Sequence, residues 1–199
     1  MAYSSDRSKD RQGKVVVITG PSGVGKSTIV REVVDRTGAD FSVSMTTRAP
    51  RQGEIDEREY HFVDRPTFEN MVAVGEMLEW AEVFGQLYGT PAYPVREAAA
   101  AGRNIVLEID VQGGVQVRQK LPGATYILIE PPSPEILAER LRARGTEDEQ
   151  SVARRLAKAA AEVQAARDSG IYTHVVVNDD LETAVRQVVH IVSQELQTR

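Results

Sequence analysis

Residues 14–38, KVVVITGPSGVGKSTIVREVVDRTG, decide the architecture. Lys14 to Gly20 is a β-branched apolar run closed by glycine, the pattern of a strand buried on both faces. The segment TIVREVVDRTG places Ile29, Val30, Val33 and Val34 on one helical stripe and stops at Gly38, a residue suited to a helix C-terminus. Between strand and helix, Gly20, Gly25, Lys26 and Ser27 complete the pattern G-x-x-x-x-G-K-[ST]. Gly23 and Gly25 permit backbone conformations and a close approach that side chains would block. Backbone N–H groups of the loop Gly20, Pro21, Ser22, Gly23, Val24, Gly25, Lys26, Ser27 and Thr28 can then point at phosphate oxygens, aided by the N-terminus of the helix. Lys26 is placed to reach the β and γ phosphates and the Ser27 hydroxyl to ligate Mg²⁺. A glycine-rich turn that merely joins strand to helix is the plain alternative, and the complete motif in this context outweighs it. The motif implies a bound nucleoside triphosphate but leaves the acceptor open, because motors, switches and kinases of many substrates share it.

Outward from this unit, buried-strand runs recur at NIVLEID (104–110), ATYILIE (124–130) and THVVVND (173–179), separated by helical patterns. That alternation predicts an α/β fold whose parallel sheet is flanked by helices on both faces, the P-loop kinase core that the resemblance described below implies. Between residues 41 and 90 the pattern changes to shorter strands, REYHFV and EMLEWAEVF, joined by a helical PTFENMVAVG, and predicts a small mixed α/β lobe inserted into the core. Residues 140–168 are rich in arginine and alanine, helical at both ends and broken at GTEDE, and predict a helical lid with Gly145 as pivot. The expected division is a tail at 1–12 and one domain at 13–199. Its core is 13–40, 91–139 and 169–199, its lobe 41–90 and its lid 140–168.

The 199 residues, 41% hydrophobic and 27% charged, suit one full core with small inserted lobes. A formal net charge of −5 disfavours general binding to nucleic acid or an anionic membrane, so any anion site must be built locally. The absence of cysteine excludes disulfides, thiolate metal sites and a cysteine nucleophile, and fits a reducing compartment. No apolar run approaches the roughly 20 residues that span a bilayer. The opening MAYSSDRSKDRQG lacks the apolar segment of a secretory signal and reads as a solvated tail, so the cytoplasm is the expected location.

One stretch, SMTTRAPRQG at 44–53, fits neither an ordinary helix nor a core strand, yet holds Arg48 and Arg51 three residues apart. Two guanidinium groups kept together ask for an anion, although a pair of solvated loop charges is the ordinary reading of such a pattern. Further on lie Tyr60, Glu79, Tyr88, Thr90, Glu108 and Asp110. Glu79 taken alone reads as an exposed strand residue, and Trp80 beside it as core packing.

At these residues the chain resembles the guanylate kinase family, enzymes that convert GMP and ATP to GDP and ADP. The blocks that carry the resemblance are GPSGVGKST, SVSMTTRAPRQGE, YHFV, LEWAEVFGQLYGT, LEIDVQG, PPS, RLRARGT, ARRL and VVVNDDL, spread from Gly13 to the C-terminal helix. The resemblance implies that Arg48 and Arg51 grip the GMP phosphate with help from Tyr60 and Tyr88; guanidinium forks and phenol donors suit a near-dianion. It also implies that Glu79, assisted by Ser44 and Thr90, reads guanine. One ionised carboxylate accepts both the N1–H and the N2 amino group, whereas adenine offers an acceptor at N1 and has no N2 amino group. Asp110, just past an apolar strand, is implied in guanine binding and is a possible Mg²⁺ ligand through water. Glu108 points the same way two residues earlier, and a supporting role is expected for it.

For the lid, the resemblance implies that Arg140, Arg144 and Arg155 contact ATP on closure, acting with Lys26 and Arg48 as the catalytic cations; Arg142 and Arg154 read as solvated. Any one lid arginine alone reads equally as part of a charged helix face. Asn178 matches a position near the adenine and reads equally as a turn or helix cap. Met45 and Gln52 depart from the residues common in that loop. His61, His174 and His190 have no partner pattern and read as structural. The expected ligands are ATP, GMP and dGMP with Mg²⁺, in purine nucleotide metabolism. The weighed alternatives are a protein-interaction module of the same shape and a kinase of another small phosphate acceptor; the intact loop opposes the first, and Glu79 with Ser44 and Thr90 opposes the second.

Overall fold

A computed structural model of the chain describes residues 12–143 and 148–197. Arg144, Gly145 and residues 1–11 of the expected tail lie outside the described residues.

The loop-bearing strand β1 (Val15–Thr19) is followed by α1 (Lys26–Thr37) and a short β2 (Asp40–Phe41). Later in the chain come α3 (Ala92–Ala100), β7 (Ile105–Glu108), α4 (Val111–Lys120), β8 (Thr125–Glu130), α5 (Pro134–Ala143), α6 (Glu149–Ser169), β9 (His174–Val177) and α7 (Leu181–Gln197). The strands pair in the order β2-β7-β1-β8-β9, every pair parallel. Alternation along β1 explains its unbroken apolar run. Val16 and Ile18 enter a core with α1 and α7, while Val17 enters a second core with α3 and α4. On α7, Ala184, Val185, Val188 and Val192 form the buried stripe that meets Ile29, Val30 and Val33 of α1. Each such valine or isoleucine side chain contributes about 1.5–3 kcal/mol relative to exposure, so the sheet is anchored from both faces.

Between β2 and α3 lies the inserted lobe, with β3 (Met45–Thr46), β4 (His61–Phe62), α2 (Arg65–Ala73), β5 (Met77–Val83) and β6 (Gln86–Pro91). Its sheet runs β4-β3-β6-β5, and Met45, Phe68, Met77 and Leu87 form its own small core. Asp64 caps α2 by accepting the Thr67 N–H at 2.9 Å.

Two expectations are corrected here. The stretch at 44–53 is not strand-free, because Met45 and Thr46 form β3 and are buried. A polar residue fills that place because Thr46 Oγ1 donates to the Leu87 carbonyl at 2.9 Å, which an apolar pattern cannot reveal. Trp80 is not core packing: it is 40% exposed while Glu79 beside it is 8% exposed. Period-2 alternation allows only one of the two to face inward. A register shift between Met77 and Glu79 aims Met77 into the lobe core, Leu78 into the main core and Glu79 toward the cleft.

Candidate active site

The C-terminal ends of β1 and β7 meet below the lobe, the usual position for ligands in an open parallel sheet. The loop after β1 arrives at α1 through Gly25, whose φ of +97° belongs to the left-handed region. A Cβ at Gly25 would stand 2.6 Å from Asn178 Nδ2, so both conformation and space demand glycine. No side chain caps α1 and no acidic residue occupies its first turn, which leaves its orphan N–H groups for an anion. Lys26 Nζ folds back over the loop, donating to the Gly20 carbonyl at 2.7 Å. Burial lowers its pKa, opposed by the negative charges of Glu108, Glu162 and Asp110.

Ser27 Oγ donates to Glu108 Oε1 at 2.6 Å, linking the start of α1 to the end of β7. Asp110 caps α4, accepting the Gly113 N–H at 2.7 Å. The hydroxyl of Ser27 and the carboxylates of Glu108 and Asp110 are hard oxygen donors of the kind Mg²⁺ takes. Among the described residues no group of three or more His, Cys, Asp or Glu could hold a metal alone. Such a set fits an ion that brings phosphate and water ligands with it.

Glu79 and Thr90 are directly paired across β5 and β6, and Thr90 Oγ1 donates to Glu79 Oε1 at 2.6 Å. Burial pushes the Glu79 carboxyl up to about 7, with the Thr90 hydrogen bond opposing and the Asp110 charge adding to the rise. Its other oxygen faces Gly113, where a Cβ would stand 3.0 Å away. Glycine at that point of α4 leaves the carboxylate room, and a Cβ there would make it give by a few tenths of an ångström. The Thr90 bond leaves one lone pair on Oε1 and those of Oε2 for a pair of donors.

Ser44, Tyr60, Glu79, Tyr88 and Asp110 line a cavity of about 400 Å³. It shares Ser44, Tyr60, Glu108 and Asp110 with a cavity of about 650 Å³ that reaches Lys26 and Ser27. The two cavities therefore lie side by side below the lobe, with these residues as their common wall. At the rim, the rings of Tyr60 and Tyr88 meet edge to face at 6.0 Å, and Arg48 Cζ lies 5.6 Å from the Tyr60 centroid. Arg48 is not an unpaired cation in this state, because Glu54 holds it by two bonds of 2.9 Å. Arg51 is exposed, and its backbone N–H donates to Glu54 Oε2 at 2.7 Å.

Other candidates lie apart from this cluster. Arg140, on α5, donates to the Asn178 and Asp179 carbonyls at 2.7 and 2.9 Å. Arg155 is half-buried on α6. Arg142 pairs with Glu149 at 2.8 Å, bridging the ends of α5 and α6, and is therefore not simply solvated. Asn178 caps no helix; its Nδ2 donates to the Val24 carbonyl at 2.7 Å, so it braces the phosphate loop. Its Oδ1 is buried with no hydrogen-bond partner among the described residues. Asp180 instead caps α7, accepting the Thr183 N–H at 2.9 Å.

Three residues in the site carried no assignment from sequence reasoning: Glu54, Phe62 and Glu162. For Glu54 a signal existed, a carboxylate three residues past Arg51. Phe62, with its ring centroid 5.8 Å from Arg48 Cζ, and Glu162, whose charge reaches Lys26 from α6, had none.

A family model described as guanylate kinase matches residues 12–195. A guanylate kinase of Nocardia farcinica is 50% identical over 182 residues, covering 90% of this chain and 93% of that protein. A guanylate kinase of Synechocystis is 45% identical over 185 residues, with 92% and 95% coverage. The crystal structure of guanylate kinase from Anaplasma phagocytophilum superposes with a TM-score of 0.72 at 31% identity, covering 96% of this chain and 90% of that one.

Proposed function

The chain belongs to the guanylate kinase family, and from that premise we propose that it transfers the γ-phosphoryl group of ATP to GMP, giving GDP and ADP. The observation that carries the reading is the buried Glu79 carboxylate, held by Thr90 in a cavity that adjoins the one reaching Lys26. Guanine offers N1–H and N2–H to the two oxygens of Glu79, with Ser44 at the cavity wall. AMP would set its N1 acceptor against the same carboxylate and leave it without donors. Arg48 and Arg51, with the hydroxyls of Tyr60 and Tyr88, take the acceptor phosphate. These contacts go to base and phosphate only, so dGMP keeps all of them and is also a substrate.

ATP places its phosphates on the loop Gly20–Thr28 with Asn178 behind it, and Lys26 swings from the Gly20 carbonyl to the β and γ phosphates. An oxygen of the GMP phosphate attacks the γ phosphorus. The bond from that phosphorus to the β–γ bridging oxygen breaks, and its electron pair leaves with ADP. No general base is required, because the nucleophile is already a phosphate oxygen. Mg²⁺, when bound, neutralises charge on the β and γ oxygens; Ser27, with Glu108 and Asp110 through water, would hold it.

Water competes with GMP for the γ-phosphoryl group, so lobe 41–90 and lid 140–168 close once both nucleotides are bound. Arg140, Arg144 and Arg155 are the cations that closure carries toward ATP, and Arg140 must release its two carbonyls to take part. No described helix is long and apolar enough to cross a membrane, and the acidic net charge suits a small-molecule enzyme of the cytoplasm.

Arg48→Ala tests the acceptor assignment. Charge-assisted hydrogen bonds contribute about 1.5–3 kcal/mol each, so KM for GMP should rise by roughly 10- to 100-fold. KM for ATP should stay within about threefold. Equal effects on both, read by steady-state kinetics, would place Arg48 at a different site.

A further inference from the structure

The loop that presents the two arginines is closed by Glu54. Its backbone N–H donates to the Arg51 carbonyl at 3.0 Å, while its Oε2 accepts the Arg51 N–H at 2.7 Å. That carboxylate also accepts from Arg48 NH1 and NH2 at 2.9 Å each. NH1 spends its remaining hydrogen on the Ala49 carbonyl at 2.7 Å. The end of the guanidinium is thus fully engaged. Nε–H and the second NH2 hydrogen donate to no carboxylate or carbonyl among the described residues, and the Tyr88 hydroxyl is within hydrogen-bond reach of the group. Arg48 and Glu54 side chains are only 16% and 18% exposed, and the guanidinium rests against the rings of Tyr60 and Phe62.

We propose that Glu54 is a positioning residue of the acceptor site, fixing the plane of Arg48 so that its Nε–NH2 edge is left for the acceptor phosphate. The proposal rests on the reading of Arg48 as a phosphate ligand. A guanidinium is useful to an oxyanion only in one plane, because two parallel N–H···O bonds form only edge-on. Arginine carries about 2 kcal/mol of rotamer entropy, and a carboxylate that immobilises it beforehand removes that cost from binding. The geometry also distinguishes positioning from blockade. A carboxylate in the phosphate's own place would cover the Nε–NH2 edge, whereas Glu54 covers the NH1–NH2 end and ties it to the loop backbone. Glu54 serves Arg51 as well, since holding the Arg51 N–H keeps the turn that sets the spacing of the two side chains.

The test compares Glu54→Ala, Glu54→Gln, Arg48→Ala and Arg48→Ala/Glu54→Ala by steady-state kinetics and by calorimetric binding of GMP and guanosine. Glu54→Ala should raise KM for GMP about tenfold and leave KM for ATP within about twofold, with an intermediate value for Glu54→Gln. Guanosine, which has no phosphate, should bind all four proteins equally. In the Arg48→Ala background, the effect of Glu54→Ala should be clearly smaller, what remains being its hold on Arg51. An unchanged or lowered KM for GMP in Glu54→Ala, beside a raised one in Arg48→Ala, overturns the positioning role. An undiminished effect of Glu54→Ala without Arg48, or a parallel loss of guanosine binding, assigns Glu54 to loop structure and also overturns it. Normal GMP affinity in Arg48→Ala instead overturns the prior reading of Arg48.

Discussion

Lys26→Ala should lower kcat by about 10³-fold while KM for GMP stays within a few-fold. Phosphoryl transfer leaves the protein little covalent chemistry to do, and catalysis rests on positive charge placed where the transferred group becomes more negative. In this chain Lys26 is the loop's own cation. It is already within the loop, held by the Gly20 carbonyl, so it needs only a side-chain rotation to meet phosphate. Burial lowers its pKa, but the charges of Glu108, Glu162 and Asp110 act to keep it protonated. Methyl in place of that ammonium leaves the α1 N-terminus to bind phosphate alone. GMP affinity should survive because Glu79 and Arg48 lie on the lobe. Single-turnover measurements would separate the chemical step from binding; a normal rate in Lys26→Ala would remove this lysine from the mechanism.

Glu79→Gln should cut kcat/KM for GMP by about 10³-fold, since one oxygen that accepts is replaced by an amide that donates toward guanine's own N–H groups. The pH dependence gives a second reading. The Glu79 carboxyl titrates at about 7 in the folded protein, raised from 4.5 by burial. Below that pH the group is neutral and cannot accept both guanine donors, so kcat/KM for GMP in the parent protein should fall about tenfold per pH unit, with Glu79→Gln flat over the same range. Folding responds in the opposite sense. A raised folded-state pKa contributes stability that is fully present below the unfolded value of 4.5 and is lost as pH rises through about 7. The loss is on the order of 3 kcal/mol. Glu79→Gln therefore should melt higher than the parent at pH 8, with the difference shrinking toward pH 5. If Glu79 reads guanine as proposed, function at this site is held against stability.

How much of this was legible in the sequence depends on the length scale of each signal. The strand-loop-helix at 14–38 carries two hydrophobic periods and a motif whose residues are consecutive, so both the core and the phosphate loop could be read directly. β2 and β3 have two residues each, too few for any period, and β3 contains a buried threonine held by a backbone carbonyl. At Glu79–Trp80 hydrophobicity pointed the wrong way. The tryptophan faces out because alternation gives the inward place to the carboxylate, and only the resemblance to guanylate kinases marked that residue from sequence. Asn178 and Arg140 donate to backbone carbonyls across gaps of 38 to 154 positions, which no local pattern encodes. Their partners emerge only when the loop, α5 and the end of β9 are brought together.

The most direct measurement of the central claim is ADP release from Mg-ATP with GMP, dGMP, AMP, UMP or no acceptor supplied to the same protein. The account predicts turnover with GMP and dGMP and none above background with the others. Preference for AMP or UMP, or no turnover with any acceptor, would contradict it.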